Sequence, residues 1–183
     1  MALMLINLGQ LTSGYSSLKL TLSLILFTAL TMIIHEFGHL IAARFCRVRA
    51  NEIGFGLGPR LCGIHFKEFV FTLRAFPVAS FVRLDGAALK QCSISQQVLV
   101  HMGGVIFNLV AATVAHGTLF GWLNLLLAAA NLLPLYQHDG WKCGVVLMRA
   151  LLRKRSQPVE WVFTFSGGCA SLLIVASLIE LLK

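Results

Sequence analysis

His35, Glu36 and His39 fall at i, i+1 and i+4 inside a largely apolar run from about Leu20 to Phe45. Residues four apart lie one above the other on a helix, so the two imidazoles can face one metal ion with the Glu36 carboxylate beside them. This is the H-E-x-x-H spacing, in which two imidazoles hold zinc and the carboxylate takes a proton from activated water. A charged group at the middle of a membrane helix costs about 2.5–3.5 kcal/mol on insertion scales, so such groups usually face a protein interior and have a function. A polar trio merely tolerated in a core is the bland alternative.

The composition says what kind of molecule carries this trio. Of 183 residues, 57% are hydrophobic and only 12% charged, and the mean hydropathy is +0.82. That is far from a soluble composition and predicts a polytopic membrane protein. The net charge of +8 comes from basic residues that flank apolar spans, with no motif of stacking aromatics, which excludes nucleic acid as the expected partner. Cys46, Cys62, Cys92, Cys143 and Cys169 form no C-x-x-C pair, and their odd number argues against a disulfide framework. Met1–Leu11 is apolar but short, without a basic n-region, and is expected near the membrane surface rather than as a cleaved signal.

The fold class expected is mainly α, with about four transmembrane helices and a small cytosolic β-hairpin element, all one domain over 1–183. The first span covers 20–45. Thr21, Thr28, Thr31, His35 and His39 follow at helical steps and make one polar stripe that should face other helices. His35 lies roughly 22 Å along from Leu20, submerged but nearer the arginine-rich end. Region 46–91 carries many basic residues and glycines. Phe66–Leu73 and Phe81–Leu84 read as short hairpin strands, whose exposed edge could take a substrate segment by strand addition or simply cap the cytosolic side.

The second span is 95–119, with His101, Gly104, Asn108, Ala111 and Ala115 on one face. Asn108 either contacts substrate or hydrogen-bonds a neighbouring helix, and His101 and His116 are expected away from the metal. After a connection at Gly121, the stretch 122–153 would run roughly 48 Å as one helix, too long for a bilayer core. Pro134 predicts a break near 131–138, and irregular backbone at membrane depth is tolerated where it lines a cavity. The last span is 160–181. Arg44–Lys90 and Lys142–Arg155 hold 13 of the 15 basic residues, which puts both on the cytoplasmic side and both termini outside.

A catalytic zinc takes three protein ligands and keeps one position open. Asp139, in the broken segment, is the only acidic residue besides Glu36 expected deep in the membrane, and is the preferred third ligand over His138 and Cys143. Asn131 and Asn108 are candidates for holding the substrate backbone or a developing oxyanion.

These motifs, in this order, resemble the site-2 protease family of intramembrane zinc metalloproteases. His35, Glu36, Gly38 and His39 match the family's H-E-x-G-H, and Asn131, Pro134, Asp139 and Gly140 match its N-x-x-P followed by D-G. Weaker blocks are Ile53–Pro59, similar to a glycine-rich loop, and Phe81–Leu84, similar to a family strand; the likeness covers about Met32 to Lys142. It implies one zinc per chain on His35, His39 and Asp139, Glu36 activating water, and Asn131 orienting substrate. The implied substrate is a transmembrane segment of an anti-sigma factor or another membrane-tethered regulator, cut in a bacterial inner or plasma membrane. Departures are His138 where leucine is usual before D-G, Ala79-Ser80 in place of G-G, and Val105 for the second-span proline.

There is no room for an inserted PDZ domain between Leu84 and Ser93, and no soluble domain is expected after Lys183, so substrate choice falls to the membrane core, the hairpin or a regulatory partner protein. The alternatives are a zinc-binding scaffold that holds a membrane partner without cutting it, against which Glu36 speaks, and a small ion transporter built on the broken helix.

Overall fold

The structure, a computed structural model, describes residues 17–67, 69–152 and 157–181; Met1–Leu11 and the basic cluster Arg153–Arg155 lie outside them. The order is α1 (Ser17–Phe45), β1 (Ala50–His65), β2 (Val70–Leu84), α2 (Gly86–Gln91), α3 (Ile94–Val114), α4 (Leu119–Leu132), α5 (Asp139–Leu151) and α6 (Gln157–Leu181). The class is mainly helical with one small sheet. Among the described residues two helices, over Leu18–Phe45 and Ile94–Val114, are long and apolar enough to cross a membrane, while Leu119–Leu132 and Pro158–Ile174 are shorter apolar helices.

α1 and α3 cross where Gly38 meets Gly103. A Cβ on Gly103 would sit 2.5 Å from Gly38 O, and one on Gly38 would strike Gly103 O, so only glycines allow the backbones this close. The crossing buries Thr31, His35 and His39, but Thr28 and Thr21 further back are exposed. The expected polar stripe is therefore covered only along its second half. The N-terminal half of α1 presents bare apolar side chains such as Leu22, Ile25 and Leu26.

α1 ends in a helix-terminating motif of paired bonds. Val48 N donates to Ala43 O (2.9 Å) and Arg47 N to Arg44 O (3.2 Å), which closes the orphan carbonyls and swings Val48 into the core. Arg47 holds the left-handed position at φ 59°, where glycine is usual and another residue costs about 1 kcal/mol.

β1 and β2 are long and bent rather than the short hairpins expected. The first half of β1 pairs with the end of β2 (Ala50↔Leu84 to Phe55↔Ser80), and its second half with the start of β2 (Arg60↔Arg74 to His65↔Val70). Glu52 to Phe55 also lie beside Val70 to Leu73, with partner numbers rising together. Ile53–Pro59, which the family resemblance likens to a glycine-rich loop, is thus strand; Gly56 and Gly58 take positive φ where it bends. Phe66 and Phe69 belong to the turn, where their rings stack and Phe66 N bonds Phe69 O. Ser80 Oγ donates to Met32 O (3.3 Å) and ties β2 to α1.

α3 starts on a capping box, Ser93 with Gln96. It ends at Val114, five residues before the expected boundary, because Gly117 turns left-handed and Thr118 caps α4 by accepting from Gly121 N. Gly121 is therefore not the connection. It lies inside α4, where a Cβ would strike Ala115 O.

The break falls where proline predicts it. Leu133, before Pro134, is extended (φ −66°, ψ 142°), and the chain resumes as α5 at Asp139. Gly140 lets the first turn of α5 sit against the end of α4, since a Cβ there would strike Leu132 O. α6 is joined to α5 by a two-bond Arg149–Glu160 pair (2.6 and 2.8 Å) and lays Gly167 near Pro134 O, whereas Gly168 meets nothing.

Candidate metal centre

Three side chains from two elements converge on one point. His35 and His39 come from α1, and Asp139 from the first turn of α5, beyond the break. His35 Nε2 and His39 Nε2 each stand 3.0 Å from Asp139 Oδ2, and 3.2 Å from each other. All three residues are buried.

The protons can be placed from the outer hydrogen bonds. Thr31 O and Phe120 O are carbonyls and only accept, so the amide nitrogens of Asn108 and Asn124 face them, at 3.3 and 2.9 Å. Asn108 Nδ2 also donates to Asn124 Oδ1 (2.9 Å), and Asn124 Nδ2 to Thr31 Oγ1 (3.1 Å). Asn108 Oδ1 is then turned to His35 and accepts from its Nδ1–H (2.9 Å). His39 Nδ1–H donates to Val100 O (2.8 Å). With both imidazole protons on Nδ1, neutral rings offer bare Nε2 lone pairs toward one carboxylate oxygen, and Asp139 Oδ2 has no hydrogen-bond donor.

Three lone pairs converging on one point repel unless a cation sits among them. Ligand atoms about 2.0–2.1 Å from zinc at tetrahedral angles stand about 3.3 Å apart, close to the 3.0–3.2 Å observed here. The donor set of two imidazoles and one carboxylate, each held from behind, fits zinc with a fourth position open. Among the described residues this is the one cluster of such groups that could hold a metal.

Gly104 makes room for it. A Cβ there would stand 2.6 Å from both His35 Cε1 and His39 Nε2. Lys142, which the sequence reading left out, donates to Asp139 Oδ1 (2.9 Å) and leaves Oδ2 to the cluster. Asn124 was also missed. Its signal is a second amide, seven residues before Asn131, in the apolar Leu119–Leu132 helix; that of Lys142 is its place one turn after Asp139.

The remaining candidates separate clearly. Asn108, offered as a substrate contact, is fully buried behind His35 and does not line the cavity, because its amide is consumed by Thr31, Asn124 and His35. His138 turns to Tyr136 O (3.4 Å) and Cys143 to Val98 O (3.9 Å), so neither belongs to the cluster. His116 is exposed. Glu36 and Asn131 face a cavity of about 440 Å³ that reaches His35, His39 and Asp139, with His101 and Lys142 also on its wall. Asn131 lines that space, with its Nδ2 donating to Leu127 O (3.0 Å). Ser80 to Leu84 of β2 form the opposite side. Glu36 also borders a second, apolar cavity of about 590 Å³ between α1 and the sheet, walled by Ile33, Phe37, Phe55, Phe71 and Val82.

Fold and site together define a centre of the metallopeptidase type, with two histidines on one helix long and apolar enough to cross a membrane and an aspartate after a broken one. The comparisons agree: the model of Peptidase family M50 matches residues 23–120, more than half of the chain, and the protein belongs to that family, the site-2 proteases. The matched stretch contains His35, Glu36, His39 and Asn108 but stops before Asp139, whose place rests on geometry.

A provisionally assigned zinc metalloprotease of Clostridium acetobutylicum is 32% identical over 98 residues, 49% of this chain and 29% of that protein. Another from Agrobacterium fabrum is 28% identical over 139 residues, 70% of this chain and 35% of its own length. The regulator of sigma-W protease RasP of Bacillus subtilis is 32% identical over 74 residues, 40% of this chain and 17% of that protein. The chain thus spans about a third or less of the length of these relatives.

Proposed function

We propose that the protein is an intramembrane zinc endopeptidase that cuts a transmembrane segment of a membrane-tethered protein near its cytosolic side. The observation that carries this is the convergence of His35 Nε2, His39 Nε2 and Asp139 Oδ2 within 3.0–3.2 Å, with Glu36 on the open side of the same cavity. Zinc, when bound, polarises a water and the scissile carbonyl. Glu36 accepts the proton of that water on its carboxylate and passes it to the leaving amine nitrogen. Asn131 lines the cavity, and with its Nδ2 engaged by Leu127 O its Oδ1 can accept a substrate N–H. His35, His39 and Asp139 hold their lone pairs in place before any substrate arrives, so little reorganisation is needed at the reaction.

The substrate would be read as an extended strand. Ser80 to Leu84 pair on one side with the first half of β1, and the same segment borders the metal cavity. A substrate added along it would bring a backbone carbonyl toward the cluster. Helical substrates must unwind first, so turnover is slow and depends on movement of the helices. We place four spans in the bilayer, with α4 and α5 together as the third, the basic loops cytoplasmic and both termini outside. An anti-sigma factor or similar tethered regulator is the substrate class, by analogy with RasP, and the whole chain acts as one domain.

The test is cleavage of a fluorophore-labelled single-span peptide by protein reconstituted in liposomes. Glu36→Gln should lower the rate by about 10²–10⁴-fold while zinc content stays at the wild-type level. Equal rates for variant and wild type sink the mechanism.

A further inference from the structure

Where α1 ends, Arg44, Arg47 and Arg49 line a cavity of about 480 Å³ whose other walls include Leu40, Ile41 and Phe69. Among the described residues, the carboxylates that form ion pairs with arginine or lysine form them elsewhere, Glu52 with Arg74 and Arg83, Asp139 with Lys142 and Glu160 with Arg149, and Asp85 caps α2. No ion pair to Arg44, Arg47 or Arg49 forms among the described residues. Arg44 lies in the last turn of α1, where a cation complements the helix dipole. That does not account for Arg47, which lies past the helix end in a left-handed conformation that glycine adopts more easily. An arginine in this left-handed position, one of three that line a single cavity, points to an anionic ligand.

We propose that this pocket binds the phosphate of an anionic phospholipid, with an acyl chain along Leu40 and Ile41. Guanidinium groups grip phosphate oxygens through paired N–H bonds. A lipid fits better than free phosphate because the arginines are joined to apolar wall at the end of a helix apolar enough to cross a membrane. Leu40 and Phe69 also wall the apolar cavity beside Glu36, so the lipid braces the sheet against α1 next to the site. The proposal rests on the membrane placement given above.

The experiment is native mass spectrometry of the full chain released from nanodiscs of phosphatidylcholine doped with phosphatidylglycerol. Wild type should retain phosphatidylglycerol over phosphatidylcholine by about tenfold or more. The triple variant R44Q/R47Q/R49Q should lose that preference, and R153Q/K154Q/R155Q, which removes as much charge elsewhere, should keep it. Arg47→Gly should raise the melting temperature yet weaken lipid retention, and it carries the test if the triple variant does not fold. Equal retention of both lipids, or an unchanged preference in the pocket variants, overturns the proposal; so does displacement of the lipid by inorganic phosphate. Failure to enter phosphatidylcholine nanodiscs overturns the membrane placement itself, while entry without preference overturns only the lipid site.

Discussion

The two faces of α1 around the histidines are built differently. Toward α3 and α4 the helix is closed: Gly38 lies on Gly103, and Thr31, His35 and His39 have their outer polar groups bonded to Asn108, Asn124 and Val100. Toward the sheet it is open: Ile33, Glu36, Phe37 and Leu40 border an apolar cavity. A metal site needs ligands fixed before the ion arrives, and the cleavage proposed above needs space that an unwound chain can enter. Glu36 stands at the border of the two, on both cavities. Changes on the closed face should act through metal binding, and changes on the open face through substrate.

Gly104→Ala breaks the closed face most severely. Its Cβ would fall 2.6 Å from His35 Cε1 and His39 Nε2, and overpacking of this kind costs about 1–3 kcal/mol where the neighbours can move. The rings would be driven apart, so zinc content by atomic absorption should fall to background and cleavage with it. Asn108→Ala comes next: it removes the acceptor for His35 Nδ1–H and leaves Thr31 O and Asn124 Oδ1 without their donor. Competition with a chromophoric chelator should show zinc affinity lowered about 10–100-fold.

Phe71→Asp sharpens the contrast from the open face, because Phe71 walls the apolar cavity and not the metal cavity. A carboxylate in the apolar cavity should raise KM by about tenfold or more, because substrate must then cover a charge, and zinc content should not change. A loss of zinc in this variant would show that the two faces are not separable. Lys142→Met gives the smallest effect, since Lys142 is partly exposed and touches only Asp139 Oδ1; zinc affinity should fall by about tenfold at most.

How far the sequence reaches is uneven, and the reason is distance along the chain. His35, Glu36 and His39 are readable because one helix of known pitch sets their relation. Asp139 is readable because Pro134 predicts the break and only one other acid is expected at membrane depth. Asn131 is readable from its place just before the break, and the family resemblance assigns it the same task but says nothing of Lys142. Asn124 and Thr31 O escape because their meeting with Asn108 depends on how three helices cross, and that crossing is set by Gly38 and Gly103 from opposite ends of a 65-residue separation. The bend that makes two long strands out of Ala50–Leu84 is hidden by glycines that read equally well as loop. The boundary at Gly117 was missed since Thr118, an N-cap, lay inside an apolar window.

The measurement closest to the central claim is zinc per chain in detergent-purified protein, wild type against Asp139→Ala. A cluster made of His35, His39 and Asp139 predicts about one zinc in the wild type and a clear loss in the variant. Zinc retained at the wild-type level without Asp139, or none in the wild type, would contradict it.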